Sequence, residues 1–179
     1  MKAADIPAQY NMCEILEHNL KSRADKTALY SADGSLSFRE VSDQVNQIGN
    51  ALLRDGVSFG ETVAILCPDR PEWVASFFGA TKIGGVALGM NTLLKTDEYD
   101  YILGDSRARV LIVHESLLPN VEPVLENHPT LKKVVLIGDA SDGIYTPFSD
   151  WISGENTTLK AEATHRDDFC SLHYSSGTT

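Results

Sequence analysis

Apolar positions recur along this chain in two alternating periods. Met12, Ile15, Leu16 and Leu20 fall at helical spacing, and Asn11 stands where it can cap a helix running to about Arg23. Thr27 to Ser31 reads as a short strand, Asp33-Gly34 as a hairpin turn and Leu36 to Phe38 as its antiparallel return. Ser37 with Glu40 makes a capping box for the clearest helix of the chain. Val41, Val45, Ile48 and Leu52 line one face of it, and Gly56 closes it. Thr62 to Cys67 is a continuous apolar run, the kind found in parallel sheets covered on both faces.

Pro68 ends that strand and Asp69 is placed to cap a helix over about Pro71 to Ile83. Trp73, Val74, Phe77, Phe78 and Ala80 make this helix apolar on more than one face, which predicts burial on several sides, within this chain or under a larger protein. Gly84-Gly85 reads as a turn into a strand at Val86 to Leu88. Thr96 caps the next helix, with Asp97 and Glu98 in its first turn. A strand at Val110 to Val113, an amphipathic segment from about Glu115 to Asn127 and a strand at Val134 to Ile137 follow. From Gly138 to about Asp168 the chain is polar and irregular, with a short helix only at Phe148 to Ile152. Phe169 to Tyr174 reads as a final buried strand.

The alternation of strand and helix from residue 62 onward predicts an α/β fold, a mostly parallel sheet flanked by helices. Ligands of such sheets sit beyond the carboxyl ends of the strands. There the last strand runs into Ser175-Ser176-Gly177-Thr178-Thr179. Small hydroxylic residues around a glycine suit a loop whose N–H and O–H groups converge on a phosphate, although a plain polar turn is their commoner use. A parallel βα unit needs a helix after such a loop, so the sequence reads as a piece cut from a longer chain.

Composition narrows the partners. The chain has 179 residues and a formal net charge of −10 at pH 7, a field that repels nucleic acid and anionic membrane surfaces. Any phosphate must then be held by local dipoles. No apolar run reaches the length of a membrane span, and the N-terminus lacks a signal-peptide core. Cys13, Cys67 and Cys170 are odd in number and lack C-x-x-C spacing; Cys67 and Cys170, on predicted strands, read as small buried hydrophobes in a reduced, cytoplasmic setting. The histidines at 18, 114, 128, 165 and 173 show no metal-ligand spacing. Arg107 and Arg109 read as surface ion-pair partners.

No Lys follows Gly177, so the terminal loop is not a Walker-type loop. Tyr174-Ser175-Ser176-Gly177-Thr178-Thr179 instead resembles the opening of the phosphate loop of the adenylate-forming superfamily, which includes acyl-CoA synthetases, luciferases and peptide-synthetase adenylation domains. The resemblance runs through the chain in order. Asp33-Gly34 with Leu36 to Val41, Gly56-Val57 with Glu61 to Leu66, Pro71-Glu72-Trp73, Lys82 to Val86, and Asp105 to Ile112 are each similar to family segments. Gly89 and Thr92 stand where the family often has Pro. Asn91-Thr92-Leu93-Leu94 resembles the benzoate- and aryl-CoA ligase branch, and Glu115 to Pro119 points the same way.

The resemblance implies that residues 1–179 are the N-terminal part of the large N-terminal domain of an acid–CoA ligase, ending within the phosphate loop. The implied parent activates a small aryl or fatty carboxylate with ATP and Mg2+, and passes the acyl group to CoA. Ser175, Ser176, Gly177, Thr178 and Thr179 are the implied ATP-binding residues. No catalytic or metal-ligating residue is assigned, and the 179 residues alone are expected to be inactive. The alternative is a non-enzymatic α/β binding module that uses the apolar helix around Trp73 and Phe78 as its interaction face.

Overall fold

The computed structural model describes residues 6–126, 128–139 and 143–175. Helix α1 (Glu14–Arg23) is followed by a hairpin of β1 (Thr27–Ser31) and β2 (Gly34–Ser37), and then by α2 (Phe38–Arg54). A six-stranded sheet comprises β3 (Thr62–Leu66), β4 (Val86–Gly89), β5 (Val110–His114), β6 (Lys133–Ile137), β7 (Thr146–Pro147) and β8 (Ser171–Leu172). Its spatial order is β7-β6-β5-β3-β4-β8, and every pairing is parallel. Between these strands run α3 (Pro71–Lys82), α4 (Thr96–Asp105), the short α5 (Leu118–Val121) and α6 (Phe148–Ile152). The α/β architecture expected from the sequence is therefore the one observed.

Alternation along the strands divides the core into two layers. Val63, Ile65 and Cys67 point to one face with Val110, Ile112, Val135 and Ile137, where they meet α1, α2, α3 and α6. Ala64, Leu66, Leu111, Val113 and Leu136 point to the other, against Tyr99, Ile102 and Leu103 of α4 and Leu118 and Val121 of α5. β3 is buried at all five positions, as its unbroken apolar run predicts. The apolar faces of α3 are met inside this chain: Ala75 and Ala80 are fully buried, and Trp73, Phe77 and Phe78 pack against the same core.

The capping box at the start of α2 forms as expected. The Ser37 hydroxyl accepts from the Glu40 N–H, and the Glu40 carboxylate accepts from the Ser37 N–H at 2.7 Å. Gly56 takes φ +81° just past the helix.

Several local expectations are corrected. Asn11 does not cap α1, which begins at Glu14. Its amide is buried and accepts from the Cys13 N–H while donating to the carbonyls of Thr81, Lys82 and Glu162. The oxygen that would cap α1 is thus taken by the Cys13 N–H, ahead of the helix, while the NH2 group goes to tertiary carbonyls. Asp69 does not cap α3 either. Arg70 occupies that position and spends its guanidinium on Asp33 and Glu72. Thr96 is the first residue of α4, not its cap. Glu98 reaches back to the Lys95 N–H, and the Thr96 hydroxyl donates to the Asn120 carbonyl.

The amphipathic segment from Glu115 is broken into short turns because Pro119 and Pro123 each lack an N–H to continue a helix. Arg109 pairs with Glu61 at 2.9 Å. Arg107 joins none of the ion pairs among the described residues and instead turns the chain at φ +51°. The final strand is only Ser171–Leu172, and Phe169 is 85% exposed. As an edge strand among the described residues, β8 pairs only with the four-residue β4, and both its residues are half-buried.

α2 and α3 approach closely because Gly79 has no side chain. A Cβ there would lie 2.7 Å from Ile48 Cγ2 and 3.2 Å from the Val45 carbonyl oxygen, so backbone as well as side chain would have to move. Gly79→Ala is expected to cost about 1–3 kcal/mol, read as a lower denaturant midpoint at unchanged slope.

Beside that contact, the Lys82 ammonium is 2% exposed and donates to Glu17 at 2.5 Å and to Asn46 Oδ1 at 2.6 Å. Glu17 itself is 34% exposed. Glu17→Ala strands a buried cation on one amide oxygen and is expected to destabilise by about 3 kcal/mol. Lys82→Met, which leaves a carboxylate that can turn to water, is expected to cost clearly less. Equal losses in chemical denaturation would refute this ordering.

Candidate functional site

The chain leaving β3 enters α3 on one face of the sheet, and the chain leaving β4 enters α4 on the other. Adjacent strands whose connections part to opposite faces leave a crevice at their carboxyl ends. An open cleft of about 1000 Å3 lies there.

Cys67, Pro68 and Asp69 form the wall that follows β3, and the loop from Gly89 to Leu94 forms the wall that follows β4. α4 contributes Asp97, Glu98 and Tyr101, and the segment after β8 contributes His173, Tyr174 and Ser175. Trp73 of α3 lies at the floor. It stacks on Phe77 with ring centroids 5.4 Å apart, and its ring passes so near Gly89 that a Cβ there would sit 3.1 Å from it. A proline at position 89, frequent in the resembling family, would crowd this ring.

Tyr174 sets the direction of the chain as it enters the cleft. Its hydroxyl donates to Asp105 Oδ2 at 2.6 Å, and its ring meets Tyr101 edge-on at 6.5 Å. Burial first, and then the Asp105 carboxylate, push the phenol's pKa up, so it stays protonated and keeps donating. Opposite, Tyr99 is fully buried and donates to the Asn91 carbonyl at 2.9 Å, which fixes the loop after β4. Ser175 is exposed and lines the cleft. Ser176, Gly177, Thr178 and Thr179 lie outside the described residues.

Electrostatically the cleft is one-sided. Asp69, Asp97 and Glu98 line it, and none of its lining residues among those described is Lys or Arg. Among the described residues no group of three or more His, Cys, Asp or Glu could hold a metal ion. The cleft therefore offers hydroxyl, aromatic and carboxylate groups, and a polyphosphate placed here needs cations from elsewhere.

Of the cleft residues, sequence reasoning named Ser175 for the site and did not name Asp69, Asn91, Asp97 or Tyr101 for it. The available signal was their position just after β3 and β4 or on the first turns of α4, where ligands of parallel sheets collect.

Cys67 lines the cleft, yet its thiol is not a nucleophile. Burial pushes its pKa up to about 12, with Glu72 adding to the effect, and burial does the same for Cys13. At pH 8 the thiolate fraction of each is then about one in ten thousand. Iodoacetamide at pH 8 is expected to leave Cys13 and Cys67 unmodified in the folded chain and to alkylate both after unfolding. Native-state alkylation of either, read by peptide mass, would contradict the burial argument.

A family profile described as AMP-binding enzyme matches residues 16–179. The benzoate–CoA ligase of Thauera aromatica is 34% identical over 99% of this chain and 34% of its own length. The 4-hydroxybenzoate–CoA/benzoate–CoA ligase of Rhodopseudomonas palustris is 33% identical over 89% of this chain and 29% of its own. Among solved structures, an anthranilate CoA ligase in complex with anthranoyl-AMP superposes with a TM-score of 0.97 at 54% identity, covering all of this chain and 35% of that one. A benzoate CoA ligase from Burkholderia xenovorans superposes with a TM-score of 0.82 at 28% identity, over 90% of this chain and 32% of that one. The chain spans about a third of the length of the relatives it matches.

Proposed function

Because the chain belongs to the AMP-binding enzyme family, we propose that it forms the N-terminal part of the large domain of an AMP-forming acid–CoA ligase acting on an aryl carboxylate. The observation that carries this reading is the Ser/Gly/Thr run, which begins at the carboxyl end of a parallel strand on the switch-point cleft. The chain holding that run is 54% identical to an anthranilate CoA ligase throughout. Fatty acids are the wider substrate class, since a medium/long-chain-fatty-acid–CoA ligase of Mycobacterium marinum is 26% identical over 75% of the chain.

In this reading a substrate carboxylate oxygen attacks the α-phosphorus of ATP, forming acyl-adenylate and expelling pyrophosphate. The CoA thiol then attacks the acyl carbonyl, losing its proton, and AMP leaves with the electron pair of the broken C–O bond. Ser175, Ser176, Gly177, Thr178 and Thr179 grip the β- and γ-phosphates through N–H and O–H donors. Ser175 lines the cleft, which fits that role. Mg2+ bound to the triphosphate would neutralise charge that the carboxylates of the cleft, Asp69, Asp97 and Glu98, would otherwise repel. The three unpaired cysteines suit a reducing cytoplasmic setting. No helix among the described residues is long and apolar enough to cross a membrane.

The described cleft contains no lysine or arginine to stabilise a transferring phosphoryl group. The 179-residue chain alone is therefore expected to show no carboxylate-dependent ATP–pyrophosphate exchange. A chimera in which it replaces the matching third of the anthranilate CoA ligase is expected to exchange with anthranilate. Robust exchange from the pure chain would overturn the predicted inactivity, and a folded but inactive chimera would overturn the aryl-ligase reading.

A further inference from the structure

Between α6 and β8 the chain must cross the whole helical face of the sheet. α6 packs beside β6 and β7 near one edge, whereas β8 is the opposite edge strand. The crossing segment, residues 153–168, has almost no regular structure, yet side chains of α2 and groups of the segment before α1 hold it along its length. Arg54 pairs with Glu155. Asn50 donates to the carbonyls of Asn156 at 2.8 Å and Thr158 at 3.2 Å. Asn46 donates to the Thr157 carbonyl at 2.7 Å, and Asn11 to the Glu162 carbonyl at 3.1 Å. Further along, the Tyr10 N–H donates to the Thr164 carbonyl, and the Thr164 hydroxyl donates to the Tyr10 carbonyl at 2.7 Å.

The strand that this strap delivers is weakly anchored by itself. β8 pairs with β4 at two positions, Ala87 with Ser171 and Leu88 with Leu172, and Ser175 follows three residues later. Two pairs define little register by themselves.

Asn46 is the junction. It is 7% exposed, its oxygen accepts from the Lys82 ammonium and its NH2 group donates to the strap. A single amide therefore ties the Glu17–Lys82 pair of α1 and α3 to the segment that leads to β8. We propose that Asn46 is a positioning residue, a latch that holds the 153–168 strap and through it sets the register of β8 and the entry of the Ser175 loop into the cleft. That the positioned loop binds phosphate rests on the function proposed above; the latch itself does not.

Two neighbouring amides of β4 separate the latch from general stability. The Ala87 N–H donates outward to the Cys170 carbonyl, whereas the Val86 N–H donates inward to the Glu61 carbonyl beside β3. Asn46→Asp keeps the volume and the acceptor for Lys82, removes the NH2 donor and sets a carboxylate oxygen against the Thr157 carbonyl. Native-state hydrogen exchange on the 15N-labelled chain is expected to show the Ala87 amide exchanging about tenfold faster, with Val86 unchanged. Should Asn46→Asp unfold the chain, the more exposed Asn50→Ala, which removes two strap bonds, is expected to show the same asymmetry at smaller amplitude. A parallel rise at both amides would mark Asn46 as merely structural, and an unchanged Ala87 would show that β8 holds its own register; either overturns the proposal.

Discussion

The complete burial of β3 is the constraint from which the rest of this structure follows. None of its five side chains is left to solvent, so both faces of the central sheet must be covered by apolar helices. The chain meets this by sending the connection after β3 to one face and those after β4 and β5 to the other. Covering both faces from adjacent parallel strands obliges their exits to diverge, and the divergence is the cleft. The site is thus a consequence of burying the core rather than a feature added to it.

On the α2–α3 face the same demand for close packing brings polar groups inside. Gly79 lets the helices meet, and the meeting encloses Lys82 at 2% exposure. A buried ammonium requires partners, and it takes Glu17 from α1 and Asn46 from α2. Asn46 has donors left over, and these reach the strap. Packing, charge compensation and the path of an irregular segment are in this way coupled through one amide. The strap in turn delivers the chain to β8, the edge strand whose continuation enters the cleft at Ser175.

Beside the chain's membership of the AMP-binding enzyme family, the cleft adds a chemical point of its own. Its described walls are aromatic, hydroxylic and acidic. Such walls orient planar groups and accept hydrogen bonds, and they leave the neutralisation of a polyphosphate to cations supplied from outside the described cleft. This complements the chain's overall charge of −10, which likewise gives no general attraction to phosphates.

Much of the fold was legible because it rests on local period. The α2 stripe of Val41, Val45, Ile48 and Leu52, its capping box at Ser37 and Glu40, and the unbroken run of β3 each specify their element without reference to anything distant. The placement of Ser175 at a strand's carboxyl end was legible for the same reason. What sequence could not determine was how polar groups choose between local and distant partners. Asn11, Asp69 and Thr96 each have the chemistry of a cap, but Asn11 and Thr96 take tertiary carbonyls and Asp69 faces the cleft. The short length of β8, the exposure of Phe169 and the junction at Asn46 were equally out of reach. Each depends on which elements lie side by side after the chain has crossed the sheet. Hydrophobic period and capping are encoded within a few residues of one another and so determined the elements. The cleft, the Glu17–Lys82 ion pair and the latched strap join groups up to about 150 residues apart, and only the packed tertiary structure brings them within hydrogen-bonding distance.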